Sequence, residues 1–175
     1  ANAENVEIFR TGRIIGRNDD KEHFGIIESV QIDTDAENGD YLTVSGRFLT
    51  SLLSRRIIYP SFSAGNTFEN IVRSVLSDNA ISAGTRTISG LSMGTVSGEC
   101  WQSRTRLQVS YDNLMEWLYT ICETIGGSVN IRMEGNALKC DLLQGTDRSI
   151  LQNDNPHIVF SDSYNNCLLY TSDAA

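Results

Sequence analysis

The sequence predicts an α+β fold, and three observations carry that prediction. Apolar and polar residues alternate in several short segments bounded by Gly, Asn and Asp, which is the signature of strands and hairpins. Three other segments space their apolar residues three and four apart, as one face of a helix requires. The two patterns do not follow one another as strand–helix–strand repeats, so a doubly wound parallel sheet is disfavoured.

The first third of the chain reads as β. Val6 and Ile8 alternate with polar residues, and Ile14-Ile15 follows Thr11-Gly12. Phe24, Ile26, Glu28, Val30 and Ile32 lie two apart and predict a strand with one mostly apolar face. The run from Asp35 to Asp40 contains Asn38-Gly39, the strongest short hairpin signal, and Tyr41 to Ser45 reads as the return strand. Leu49, Leu52, Leu53 and Ile57 then predict a short helix after Gly46-Arg47. A second helix carries Phe68, Ile71, Val72, Val75 and Leu76, with Asn66 and Glu69 spaced as a capping box and Asp78-Asn79 as its end.

Residues 82–104 are rich in Ser, Thr and Gly and read as short strands or a surface loop anchored by Ile88, Leu91, Met93 and Val96. Leu107 and Val109 suggest a further strand. The third helix is the most regular: Leu114, Trp117, Leu118, Ile121, Cys122 and Ile125 form one stripe, and Gly126-Gly127 stops it. A hairpin follows, with Val129, Ile131 and Met133 on one arm and Leu138, Cys140 and Leu142 on the other. Residues 145–149 read as a loop and 157–160 as a last strand.

Composition narrows the function classes. The chain has 175 residues, enough for one domain or two small packed lobes, and a formal net charge of -8. Such a chain is ill suited to binding nucleic acid through its overall field, and Arg10, Arg13 and Arg17 read as a solvated face. No segment approaches the roughly 20 apolar residues of a membrane-spanning helix. The four cysteines, Cys100, Cys122, Cys140 and Cys167, match no metal or redox spacing, and Cys122 and Cys140 read as small core residues.

The usual chemical motifs are missing. His23 and His157 lie in no metal-binding pattern, and no nucleophile elbow or phosphate-binding loop occurs. Asp33, Asp35, Glu37 and Asp40 crowd a hairpin turn, where acids usually stay solvated or bond their own backbone. Neither a catalytic residue, a cofactor nor a metal site is therefore expected. Trp117 reads as core, whereas Trp101, near Arg104 and Arg106, reads either as a contact residue or as partly buried. Asp147-Arg148 has two readings, an ion pair holding a turn or a contact between subunits.

Several segments in order carry a family resemblance. Phe24 to Val30 resembles a strand of phage baseplate hub proteins. The run from Leu42 through Ser45-Gly46-Arg47 to Leu49, Leu52 and Leu53 resembles the strand-to-helix step that follows it. Asp112 to Gly126, the 129–142 hairpin and Gly145-Thr146-Asp147-Arg148-Ser149 resemble the later helix–hairpin unit, and Val159 to Asn165 resembles the segment after it. Together, over roughly residues 5–166, they resemble the siphovirus gp-thirty-seven-like tail protein family of the ReqiPepy type.

The resemblance implies a baseplate-hub-like α+β fold, with antiparallel β-hairpins, a partial β-barrel and about three helices. It implies a structural, non-enzymatic component of a phage or prophage tail tip, acting in tail assembly and host attachment. Such a component is made in the bacterial cytoplasm and carried in the virion tail. Its implied partners are the distal tail protein, the tape-measure protein and further copies of itself in a ring, often a trimer, without nucleic acid or membrane insertion. The candidate structural or interface residues are Ser45, Gly46, Arg47, Trp101, Asp147 and Arg148. Gly46 is expected to permit a sharp strand-to-helix turn, and Arg47 to bond backbone carbonyls or a neighbouring subunit. Two other readings compete: the N-terminal part of a tail-associated peptidoglycan hydrolase, and a carbohydrate-binding module with Trp101 or Tyr111 stacking on sugar.

The organisation expected is an N-terminal β segment over 1–60, an α+β hub segment over 61–166, and a foreign tail over 167–175. That tail, Cys167 to Ala175, matches one reading frame of a transposon-based sequencing adapter. The natural sequence is therefore expected to run on differently after Asn166, and the start at Ala1 to be a cut.

Overall fold

The structure is a computed structural model that describes residues 7–20, 22–35 and 39–158. It falls into two units, one up to Gln144 and one from Gly145. In the first, three open sheets and two α-helices form an α+β fold, and no sheet closes into a barrel among the described residues.

The first sheet has strand order β1-β2-β3, all antiparallel, from Ile14–Gly16, Phe24–Asp35 and Gly39–Phe48. The expected strand at Val6 and Ile8 does not form at Ile8. Val6 lies outside the described residues, and Ile8 is helical beside a 2.7 Å ion pair from Arg10 to Glu7. Two alternating apolar residues are too few by themselves to define a strand. In β2 the expected single apolar face is broken by a bulge between Ile27 and Ser29. Ahead of the bulge, Ile26 and Ile27 face opposite sides of the strand and both are buried, Ile26 in the core and Ile27 beside Gly12 and Arg13. Further along, Ile32 stands 54% exposed, because no other element among the described residues covers the outer part of the hairpin.

Strand β3 runs three residues past its expected end and takes in Gly46, Arg47 and Phe48. The chain then enters a 3-10 helix, Leu49–Arg55, with Leu49 and Leu53 fully buried. Ile57 was placed on this apolar stripe by its spacing, but it is exposed and Ile58 is the buried residue. The tighter 3-10 rotation and the extended residue Arg56 change the phase of the stripe.

The second sheet pairs β4 (Phe62–Thr67) with β6 (Arg104–Val109). Helix α1, Phe68–Leu76, follows β4 directly and buries Ile71, Val72, Val75 and Leu76 as their spacing predicts. Its cap differs from the expectation. Thr67 Oγ1 accepts from the Asn70 N–H at 3.3 Å, while the Glu69 carboxylate turns away to Arg73 Nε and Gln102 Nε2, each at 2.7 Å. The paired side chains draw Glu69 out of a reciprocal box. The helix also does not stop at Asp78-Asn79 but continues as one π-helical turn, Ser77–Ile81. There the buried Asn79 donates to the Val75 carbonyl and accepts from the Tyr59 N–H.

The third sheet has order β5-β8-β7, from Leu91–Val96, Ala137–Gln144 and Gly127–Glu134. β7 and β8 form the expected hairpin, and β5 adds parallel to β8. The central position of β8 explains its run of three buried residues, Cys140, Asp141 and Leu142. Asp141 is satisfied there: Oδ1 accepts from the Thr95 N–H at 2.6 Å and Oδ2 from Arg132 Nε at 2.7 Å.

Helix α2, Leu114–Ile125, packs on β7 and on the 3-10 helix. Asn113 caps it and Gly126, at φ 67°, ends it in the left-handed conformation that glycine adopts without strain. Leu114, Leu118, Ile121 and Cys122 enter the core, with Trp117 and Ile125 at its margin. One apolar cluster joins Ile26, Leu49, Val72, Trp101, Leu118 and Leu142, so residues from every sheet and helix share a single core.

In the second unit His157 and Ile158 are not in a strand, and Val159 and Phe160 lie outside the described residues. So do the segment resembling Val159 to Asn165 and the tail 167–175.

Candidate assembly surface

Ser45, Gly46 and Arg47 are brought together at the root of the β2–β3 hairpin. Gly46 pairs with Ile27 at the bulge, and the strands approach closely there. A Cβ on Gly46 would lie 2.0 Å from the Ile26 carbonyl oxygen. The glycine is thus required by a close backbone approach inside the strand, not by a turn into the helix.

A groove of about 360 Å³ crosses this root, lined by Ile15, Gly25, Ile26, Ile27, Gly46 and Phe48, with Ser45 and Arg47 at its side. Phe48 is 65% exposed, and Ile15 is exposed beside it. Among the described residues Arg47 bonds no carbonyl. It grips the Glu28 carboxylate with both Nε (2.8 Å) and a terminal amino group (2.7 Å). Arg55 adds a third bond at 3.1 Å to the same carboxylate. The hydrogen bond from Arg47 above all holds the Glu28 carboxyl below the ordinary glutamate range; burial opposes it, and Arg55 adds a lesser lowering. Two guanidinium groups share one carboxylate, leaving one excess positive charge. Arg13, whose carbonyl accepts from the Ile27 N–H, has no carboxylate partner among the described residues.

A second exposed cluster contains Ile57, Tyr59 and Tyr111. The tyrosine rings are 5.8 Å apart at 47°, and Tyr111 is 66% exposed with φ 60°. Arg86 lies 5.8 Å over the Tyr59 ring and donates to the carbonyls of Ile57 (3.1 Å) and Tyr59 (3.0 Å). Sequence reasoning passed over Arg86 and Asn79, whose roles depend on a loop folding back over twenty residues or more. The carboxylate of Glu28 did leave a signal: an acid on the otherwise apolar period of a strand.

The other predicted residues lie elsewhere. Trp101 is 0% exposed and its indole N–H donates to the Leu143 carbonyl at 3.0 Å. It is a core residue, and its ring has no free face for a partner or a sugar; β8 supplies the acceptor that its polar neighbours in sequence do not reveal. In the second unit Asp147 and Arg148 form no ion pair. Asp147 Oδ1 instead accepts from the Ser149 N–H at 2.8 Å, a local turn that takes up the carboxylate. That bond holds the Asp147 carboxyl below its ordinary value. Arg148 is exposed.

Arg10 and Arg17 are paired with Glu7 and Asp19, so the arginine group near the start is largely neutralised. Among the described residues no three His, Cys, Asp or Glu side chains converge as a metal site, and no helix is long and apolar enough to cross a membrane. Burial pushes the Cys122 thiol up to about 11 and the Cys140 thiol to about 12, as befits packed core residues.

The described residues combine a packed core with an apolar groove, a charged rim and a hairpin whose outer arms carry exposed Ile32 and Tyr41. The family model described as Siphovirus ReqiPepy6 Gp37-like protein matches residues 1–168, and the chain belongs to that family. It is accordingly a phage structural protein. No curated protein matches the chain.

Proposed function

We propose that this protein is a non-enzymatic component of the tail tip or baseplate hub, acting in tail assembly and host attachment. Its partners in this reading are the distal tail protein, the tape-measure protein and further copies of itself in a ring. The observation that carries the reading is the groove at the hairpin root, which gathers Ser45, Gly46 and Arg47 beside the exposed Phe48. Exposed aromatic and arginine side chains around an apolar floor are the composition of protein–protein contacts. Gold-labelled antibody against the chain should decorate the end of the tail on virions of a siphovirus that encodes it. Labelling of the capsid, or absence of the chain from purified virions, would overturn the proposal.

The exposed Tyr59–Tyr111 pair favours a second reading, the binding of cell-surface carbohydrate, through Tyr111 rather than Trp101. In that case Tyr111→Ala abolishes retention on host cell-wall glycans. Unchanged retention rejects it.

A further inference from the structure

The β2–β3 hairpin is polarised in charge. From Glu22 to Gly46 the sequence holds no Lys or Arg, while Glu28, Asp33, Asp35, Glu37 and Asp40 all fall within the span. Glu28 lies at the root, held by Arg47 and Arg55, while Asp33, Asp35 and Asp40 lie toward the far end. At the root, among the described residues, Arg47 and Arg55 share the Glu28 carboxylate and Arg13 has no carboxylate partner, so the excess there is positive.

The hairpin's two ends lie too far apart to interact with each other. Asp40 and Arg47 are seven residues apart along β3, about 23 Å at strand rise. That is well beyond the roughly 8 Å over which exposed charges interact at physiological salt. The apolar residues show the same division. Ile32 and Tyr41 are 54% and 50% exposed on the outer arms, while the root offers an apolar groove of about 360 Å³ with a guanidinium rim. Asp33 pairs across the ladder with Tyr41, and Ile32 with Leu42, so acidic and apolar groups are interleaved on the outer arms.

We propose that the chain associates head to tail, with the outer hairpin arms of one copy, Ile32–Thr34 and Asp40–Leu42, seated in the root groove of the next. Tyr41 meets the apolar floor and Phe48, and Asp33, which lies opposite Tyr41 in the ladder and shares its face, meets the excess charge of Arg13 and Arg55. Each copy presents two different surfaces. The contact is therefore heterologous, and it closes into a ring or propagates according to its rotation. This deepens the reading of an assembling component and rests on it only in expecting self-association.

The test mixes two variants of the full chain. A tip variant carries Asp33→Lys and Tyr41→Ser; a root variant carries Arg13→Glu and Arg55→Glu. All four positions are on the surface or at its margin, and tryptophan emission checks that each variant is folded. By sedimentation, the wild-type chain forms concentration-dependent oligomers and each variant alone associates at least about tenfold more weakly. An equimolar mixture recovers complexes, because the tip variant keeps a native root and the root variant a native tip. Raising salt weakens the wild-type association. A wild-type chain that stays monomeric overturns the proposal, as do variants that associate normally. Failure of the mixture to recover overturns it too, since a symmetric contact such as edge-to-edge pairing of β3 would leave a defect in every mixed pair. Virion labelling at the tail end can succeed while this mixing experiment fails, so the two proposals fall separately.

Discussion

Gly46 provides the most exacting test of the hairpin root. An added Cβ would lie 2.0 Å from the Ile26 carbonyl oxygen, 2.9 Å from its carbon and 3.2 Å from Ile27 Cα. All three are backbone atoms, so no side chain can rotate away to make room. Relief requires β3 to retreat from β2 by more than an ångström, at the place where Gly46 pairs with Ile27 beside the bulge. Forced overpacking costs about 1–3 kcal/mol, and each ladder bond lost adds about 1 kcal/mol. Gly46→Val should therefore destabilise by about 3 kcal/mol. Because the clash lies at Cβ itself, Gly46→Ala should already show most of that loss. Gly39 gives the contrast: it has φ 73° and open space around the same added atom. Gly39→Ala should cost only the conformational penalty of about 1–2 kcal/mol. Urea unfolding followed by tryptophan emission measures all three variants. Hydrogen exchange should speed up at the amides of Ile27 to Arg47 in the Gly46 variants. A Gly46→Ala protein within about 0.5 kcal/mol of wild type would refute the close-approach argument.

Three further outcomes follow from the core and its charged margin. Trp101→Ala should lose about 3–5 kcal/mol, because it empties a fully buried site and removes the indole's bond to the Leu143 carbonyl; thermal unfolding would show a much smaller shift if the ring were at the surface. Glu69 is held below its ordinary value of 4.5 by hydrogen bonds from Gln102 and then Arg73. Its contribution is therefore complete above that value and is lost as pH falls through the lower folded-state value; Glu69→Gln should flatten this part of the stability–pH curve, and an unchanged curve would contradict the assignment. With thiols raised to about 11 and about 12, Cys122 and Cys140 should resist alkylation at pH 8 until the chain unfolds, as read by site-resolved mass spectrometry. Rapid labelling of either in the native protein would show that its burial is wrong.

Much of the architecture was legible in local pattern. The stripe from Leu114 to Ile125, the glycine stop at Gly126 and the β7–β8 hairpin follow directly from periodicity and turn chemistry. So do the buried positions of α1, from Ile71 to Leu76. These features depend on residues within a turn or a strand of one another, where spacing dictates which side chains share a face. The helix ends were less legible. Glu69 has the spacing of a capping box but binds Gln102, a residue 33 positions away.

The amino-acid sequence by itself determined the α+β class, the helical and strand faces, the acidic far end of the hairpin and the family resemblance. Tertiary structure alone decided where those elements meet. It turned Gly46 from a turn residue into a close-approach residue, because the bulge in β2 lies opposite it. It moved Trp101 from a contact candidate into the core, because β8 passes behind it and supplies a carbonyl. It made Asp141 a buried, fully bonded acid, because β5 adds to the far side of β8 and covers what alternation leaves outward. Each outcome depends on a partner far away in the chain, and local spacing carries no information about which distant backbone will arrive.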